Sequence, residues 1–303
     1  MLKEGFMKKT IGFVGVGTMG KPMVFNLMKA GYQLVVYDIN PKPLEELKQG
    51  GASVAKSGAE AASKADVVIT MLPKSEHVEA AVLGENGVIK GVKPGTIVID
   101  MSTIDPSVAK RIAGILDSQG VKMLDAPVTG GETGAQAATL TIMVGGDEDA
   151  YKQCLDIFNA MGKNIFYCGP SGNGDIVKVI NNLFGGIHAM STAEALALGV
   201  KAGVDFKVLY DVISVGTGVT NFMKNYCPIK AFKGDFEPGF MAELMHKDLG
   251  LAVTLAKEKD VPLLMGALTY QMFTRIMAEG LGKKDFSITV KTFEDLLNIK
   301  MKL

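Results

Sequence analysis

Gly15-Val16-Gly17-Thr18-Met19-Gly20 sets the tightest limit on how this chain folds. The glycines follow a β-rich run, Thr10 to Gly15, and open a stretch of helical periodicity, Met19 to Ala30. In such a turn the first glycine permits a tight bend. The second lets the backbone approach a pyrophosphate at the positive end of the helix, and the third lets helix and strand pack closely. Gly31 stands where a helix C-cap belongs. Pro22 lies in the first helical turn, where a missing N–H does little harm. A second strand, Gln33 to Tyr37, leads to Asp38, 18 residues after Gly20. A carboxylate there takes both ribose hydroxyls of a dinucleotide. Strand, glycines, helix, strand and acid arrive in order, so Gly15 to Gly20 and Asp38 are candidate cofactor contacts. A carboxylate also repels a 2′-phosphate, and Ile39 and Asn40 supply no arginine to receive one. NAD is therefore expected over NADP, although Lys42 and Lys48 are cations nearby.

The rest of the first half alternates in the same way. Helical segments Pro43 to Gln49, Ser75 to Val82 and Pro106 to Gln119 separate strands Asp66 to Met71, Thr96 to Asp100 and Lys122 to Ala126, with a small segment at Ser53 to Ser63. Two more strands, Leu140 to Val144 and Asn164 to Tyr167, flank a helix from Asp147 to Met161. Near-continuous Val/Ile runs joined through helices predict a doubly wound, mainly parallel α/β sheet covered on both faces. After Gly169 the strand signals nearly vanish. Asp175 to Ala202 reads as one helix of 28 residues, apolar almost all round, and so either a spine between domains or a subunit interface. Gly203 ends it, and Asp205 is placed to cap the next helix. Further helices are predicted at Gly239 to Lys259, Pro262 to Glu279 and Ser287 to Asn298. The expected division is a dinucleotide-binding domain over residues 1–171, a long connecting helix over 172–202 and an all-α domain over 203–303.

Composition narrows the partners. Apolar residues make up 48% of the 303, enough for substantial cores. Lys+Arg and Asp+Glu both number 32, so there is no basic footprint for nucleic acid or an anionic membrane. The three cysteines are odd in number and widely spaced, which fits a reducing compartment and neither a disulfide frame nor a metal pattern. No apolar run is expected to reach the length of a transmembrane helix. The N-terminus lacks a signal-peptide core, and Met7-Lys8-Lys9-Thr10 reads as a natural start, with residues 1–6 a short extension. A cytoplasmic protein is expected. His77 is expected on a surface helix and His188 in the core or an interface. His246 has no partners at metal-binding spacing, so no metal is expected.

Two segments carry further chemistry. Asp125-Ala-Pro-Val-Thr129-Gly130-Gly131 ends the sixth strand, at the sheet edge where α/β ligands bind. Its glycines expose backbone N–H groups beside a hydroxyl, a reasonable cradle for a carboxylate; an ordinary strand-ending turn fits it equally well. Gly172-Asn173-Gly174-Asp175-Ile176-Val177-Lys178-Val179-Ile180-Asn181-Asn182 opens the long helix. Lys178 and Asn182 are four residues apart and share one face. A cation on so apolar a helix is costly unless it meets a group that needs it.

Phe13-Val-Gly-Val-Gly-Thr-Met-Gly20, the Asp125–Gly131 segment, the Gly172–Asn182 segment and His246-Lys247-Asp248-Leu249 together resemble the β-hydroxyacid dehydrogenase family, over essentially the whole chain. The resemblance implies a Rossmann domain, a long connecting helix and a helical second domain, assembled as homodimers or homotetramers. It places the family's catalytic lysine on Lys178 and its partner asparagine on Asn182. Thr129, Gly130 and Gly131 fall on the loop for the substrate carboxylate, where serine is more usual at the first position. Asn181, Phe240 and Asp248 fall on further substrate contacts. Val16, Thr18 and Met19 go with the glycines as cofactor contacts, as do Leu72, Pro73, Thr103 and Lys247. The implied reaction moves a hydride between NAD and a short 3-hydroxy acid, of the tartronate semialdehyde, 3-hydroxyisobutyrate or 2-(hydroxymethyl)glutarate type, with Lys178 as general acid and base. A sulfonated aldehyde would call for a more cationic pocket than Thr129 to Glu132 offers. A 6-phosphogluconate substrate is disfavoured by the short helical domain. A non-catalytic NAD-binding scaffold is the alternative from another class, and retention of Lys178 and Asn182 counts against it.

Overall fold

The computed structural model describes residues 8–303, so the reading of the N-terminal extension and start lies outside the described residues. By internal packing the chain divides into two units, Met1–Lys178 and Val179–Leu303.

The first unit is built on nine strands: β1 (Thr10–Val14), β2 (Gln33–Tyr37), β3 (Ser53–Val54), β4 (Val67–Thr70), β5 (Ile97–Asp100), β6 (Lys122–Asp125), β7 (Val128–Thr129), β8 (Leu140–Gly146) and β9 (Gly162–Gly169). Their order is β3-β2-β1-β4-β5-β6-β8-β7, with β9 beside β8. β1 to β6 are mutually parallel, which is the doubly wound order expected for alternating strands and helices. β8 reverses direction. It pairs antiparallel with β6 and β7 and parallel with β9. Helices α1 (Gly20–Lys29), α2 (Lys42–Gln49), α3 (Gly58–Ser63), α4 (Ser75–Leu83), α5 (Pro106–Asp117), α6 (Gly131–Gln136) and α7 (Glu148–Asn159) complete it.

Alternation along each strand sends side chains to opposite faces. Ile69, Ile99 and Leu124 pack with Met23, Leu27 and Phe158 in one core. Val68, Val98 and Met123 pack with Val78, Val82 and Ile112 in the other. The predicted cap of α1 is formed: Gly31 adopts φ +88°, its N–H donates to Met28 O, and Tyr32 N–H donates to Leu27 O. Three elements of this unit are not foreseen from the sequence: a 3-10 turn at Val88–Lys90, strand β7 at Val128–Thr129, where a turn is the alternative reading, and helix α6 at Gly131–Gln136. A strand of two residues and a helix of six are too short to show a period.

The chain then enters α8 (Asn173–Lys201), a helix of 29 residues that spans the division between the units. By length and composition α8 is apolar enough to cross a membrane, with a mean hydropathy of 1.3 over its most apolar window. That corrects the expectation that no segment of the chain reaches this length. His188 and Glu194 interrupt the apolar residues of α8, and a mean over the stretch tolerates them. The core helix of a folded domain passes the same test, and one side of α8 packs in that way. Val179, Leu183 and Met190 pack into one cluster of the second unit, and Ala189, Ala193 and Leu196 into another.

The second unit continues with α9 (Phe206–Ile213), α10 (Ala242–Glu258), α11 (Leu264–Ala278) and α12 (Ile288–Leu297). Asp205 caps α9 as predicted, accepting from Val208 N–H at 3.1 Å. A π-turn at Phe222–Tyr226 and two 3-10 turns, Cys227–Ile229 and Ala231–Lys233, were not expected.

Candidate active site

The parallel strands end in one register row. Val14 lies beside Tyr37 and Thr70, Thr70 beside Asp100, and Asp100 beside Asp125. The glycine turn, Asp38, Leu72 and Pro73, and Thr103 follow on these ends, and Thr129 to Gly131 come four to six residues past Asp125, by way of β7. Folding thus brings these candidates of the first unit to the same carboxyl edge of the sheet.

At the glycine turn the three positions differ as the motif requires. A Cβ on Gly15 would stand 2.3 Å from Met71 O, and one on Gly20 would stand 2.0 Å from Gly15 O. A Cβ on Gly17 meets no protein atom within 4 Å. Gly15 and Gly20 are therefore closed by the fold, while the backbone at Gly17 faces open space, as a pyrophosphate site needs. Asp38 locks the turn. Its Oδ2 accepts from Val16 N–H (2.7 Å) and its Oδ1 from Asn40 N–H (2.8 Å). The carboxylate keeps lone pairs for ribose hydroxyls, since each oxygen carries two. The residues present thus fit a dinucleotide.

Behind this edge lie carboxylates that the sequence reading did not assign. Asp100 is buried, and its Oδ1 accepts from the hydroxyls of Thr70 (2.7 Å) and Ser102 (2.6 Å). Ser102 Oγ in turn accepts from Leu72 N–H (2.9 Å). One carboxylate therefore fixes the loops after β4 and β5. Asp175, on the first turn of α8, accepts from Ile104 N–H (3.3 Å), beside Thr103. Asp125 is also buried and receives the backbone N–H groups of Gly172 (2.6 Å) and Asp175 (3.1 Å). The available signal was a carboxylate closing a run of buried apolar residues, in Ile97-Val-Ile-Asp100 and again, after Lys122, in Met123-Leu-Asp125. A charge buried there requires donors.

Burial pushes the Asp100 carboxyl up from 3.8 to about 6, against the pull of the Ser102 and Thr70 hydroxyls. The folded state therefore binds this proton more tightly than the unfolded chain. Its contribution to stability is present below about pH 4 and is lost as pH rises through about 6. Asp100→Asn cannot ionise. The stability of the variant relative to wild type is expected to rise by up to about 3 kcal/mol between those limits. Urea unfolding of both proteins across this range measures it, and parallel curves would refute it.

In the helical unit Asn182 Nδ2 donates to Asp248 Oδ2 (2.5 Å), and Lys247 Nζ lies 3.0 Å from Asp248 Oδ1. Asn181 Nδ2 donates to Asn182 Oδ1 (3.0 Å). Asp248 thus sets which way the Asn182 amide points, and Lys247 balances its buried charge. Lys178, one helical turn before Asn182 on α8, is buried with 7% of its surface exposed. Phe240 packs edge-on to Phe286, and its N–H donates to Asp285 Oδ2 (3.1 Å). His246 turns to α11, stacked on Tyr270 and bonded to Thr274. His188 is half-buried and lies against Phe184, and His77 is exposed on α4.

This arrangement has close relatives. Residues 10–169 match the family model for the NAD binding domain of 6-phosphogluconate dehydrogenase. Residues 172–293 match the NAD-binding model of NADP-dependent 3-hydroxyisobutyrate dehydrogenase. The chain is 44% identical to a probable mitochondrial 3-hydroxyisobutyrate dehydrogenase of Dictyostelium discoideum, over 97% of this chain and 92% of that one. It is 42% identical to an NAD-dependent L-serine dehydrogenase of Pseudomonas aeruginosa, over 94% and 98%. A solved structure of Mycobacterium tuberculosis 3-hydroxyisobutyrate dehydrogenase with L-serine superposes with a TM-score of 0.88 at 36% identity, over 94% of this chain and 99% of that one. The chain belongs to the β-hydroxyacid dehydrogenase family. It is an NAD-dependent dehydrogenase, and these relatives favour neither the sulfonated-aldehyde nor the scaffold alternative.

Proposed function

We propose that this chain interconverts a short 3-hydroxy acid and its semialdehyde, with Lys178 as general acid and base. One observation carries the reading: a lysine buried on an apolar helix, one turn before an asparagine whose amide is itself fixed. In the oxidising direction the Lys178 amine takes the hydroxyl proton. The electrons of the O–H bond form the carbonyl as the carbon gives up its hydrogen as hydride. When bound, NAD supplies the hydride acceptor. In the reducing direction the Lys178 ammonium protonates the nascent alkoxide. Asn182 orients the reacting oxygen without adding charge. Thr129, Gly130 and Gly131 hold the substrate carboxylate, and Asn181, Phe240 and Asp248 complete the substrate contacts. Gly15 to Gly20, Asp38, Leu72, Pro73, Thr103 and Lys247 hold the cofactor. The same reading assigns residues 1–171 to cofactor binding, 172–202 to the connecting helix and 203–303 to the helical domain.

NADH formation with 3-hydroxyisobutyrate, L-serine, glycerate and 2-(hydroxymethyl)glutarate tests the proposal. At least one is expected to turn over, with NAD preferred to NADP because of Asp38. Binding of NAD without oxidation of any of them would reject it.

The assembly follows as a homodimer or homotetramer. In the helical unit α8 and α11 touch at Leu183 and Gly266 and leave Phe184 58%, Leu264 80%, Met265 60% and Leu268 59% exposed. Covering such side chains is worth about 25 cal/mol per Å², so a second copy is the natural cover. Sedimentation of the purified chain at a monomer's mass, even at high concentration, would contradict this. A cytoplasmic location is proposed with it, in keeping with three cysteines that are all free; fractionation of the source cells checks it.

A further inference from the structure

We infer that Asp125 is a positioning residue for Lys178: its carboxylate clamps the first turn of α8 to the end of β6 and so sets where the ammonium one turn later stands. The inference rests on the reading of Lys178 as the acid and base.

The first N–H groups of any helix have no partner within it. At α8 the nearest local candidate, Asn173, is turned away, its Nδ2 donating to Cys168 O (2.8 Å). Asn173 N–H donates to Pro170 O, and the donors on either side of it go to a carboxylate far off in sequence. Gly172 N–H bonds Asp125 Oδ1 and Asp175 N–H bonds Oδ2, with Gly174 N–H also facing the carboxylate. The seat is cut to the length of an aspartate. A Cβ on Gly145 would stand 2.6 Å and 2.8 Å from the two carboxylate oxygens. One on Gly174 would stand 2.9 Å from Oδ2, 2.6 Å from Asp125 O and 2.4 Å from Met143 O. Lys178 follows Gly174 by four residues and so lies over it on the same helix face. The same strand end leads within four residues to Thr129. One side chain therefore fixes the distance between the carboxylate cradle and the helical turn that presents the amine.

The clamp also carries charge. The N-terminus of a long helix is positive and disfavours an ammonium nearby. An anion seated in that terminus offsets it. The other charged or titratable groups around this seat are Asp100 on β5, Lys110 against Gly172, Cys168 at the end of β9, and Asp175 and Lys178 on α8.

Two variants separate distance from charge. Asp125→Asn removes the anion and turns an amide against helix donors. It is expected to lower kcat about tenfold or more with the KM for NAD little changed, since misplacing a catalytic group by about 1 Å costs up to about a hundredfold. It is also expected to move the rising limb of the kcat–pH profile for alcohol oxidation to lower pH, because an amine without a neighbouring anion gives up its proton more readily. Gly174→Ala displaces the turn and keeps the charge. It is expected to lower kcat similarly while the limb stays in place, and it carries the test if Asp125→Asn does not fold. Wild-type kcat in both variants, or a kcat loss in Asp125→Asn with an unmoved limb, overturns the inference. Lys178→Met tells the two failures apart. If it stays active, the reading of Lys178 fails and takes this inference with it. If it is inactive while both variants match wild type, only the role of Asp125 fails.

Discussion

Lys178→Met is expected to lower kcat by about 10²- to 10⁴-fold, the usual contribution of a positioned acid–base group. That corresponds to about 3–5 kcal/mol of transition-state stabilisation. Methionine nearly matches the lysine stem in length and is apolar, so the packing around α8 survives. Stability is expected to hold or rise, because the variant no longer keeps a cation in a buried position. NAD affinity, which the glycine turn and Asp38 carry, is expected to stay within about twofold. Lys178→Arg restores the charge but not the rate, since a guanidinium does not release its proton in a protein. Steady-state kinetics with a competent hydroxy acid, beside NAD titration and urea unfolding, read all of these. Should Lys178→Met turn over within about threefold of wild type, the amine takes no part in proton transfer.

The parts of this molecule that were legible in the sequence are those whose cause is local. Gln33–Tyr37 has nothing but apolar or β-favouring residues between its ends, and it forms a strand with those bounds. Asp205 sits immediately before an apolar helical repeat, and it caps that helix. Gly31 is needed at positive φ within a few residues of the helix it ends. What escaped depends on distant partners. The reversal of β8 follows from where it docks, not from its composition, which reads like any buried strand. Asp125 and Asp100 look alike in sequence, each closing a run of buried apolar residues. One caps a helix that begins 48 residues later, and the other ties two loops together by way of Ser102. No periodicity carries that information. The π-turn at Phe222–Tyr226 is equally silent, since it takes its shape from the packing of Phe222 and Tyr226 against Phe286.

Gly15→Ala and Gly17→Ala are expected to fail in opposite ways, two residues apart. Gly15 holds φ +94°, which alone costs a residue with a Cβ about 1–2 kcal/mol. Its new methyl group would also stand 2.3 Å from Met71 O and 2.8 Å from Leu72 Cδ2. The first of these is backbone, tied through Met71 N–H to Val14 O, so it yields little. Overpacking of this kind costs a further 1–3 kcal/mol or so. A loss of about 2–5 kcal/mol is therefore expected for Gly15→Ala, a large share of the 5–15 kcal/mol typical of a domain. NAD binding is lost with it, because Gly15 N–H bonds Tyr37 O and the displaced turn loosens the seat of Asp38. Gly17→Ala meets no protein atom within 4 Å, and its backbone is not held at positive φ. Its stability is expected to change by less than about 1 kcal/mol. Its NAD affinity nevertheless falls about tenfold or more, because the methyl group stands on the side from which the pyrophosphate must approach the backbone. Urea unfolding with and without NAD resolves the pair. If Gly17→Ala binds NAD as wild type does, the open face of this turn is not where the pyrophosphate lies, whatever Gly15→Ala does to the fold.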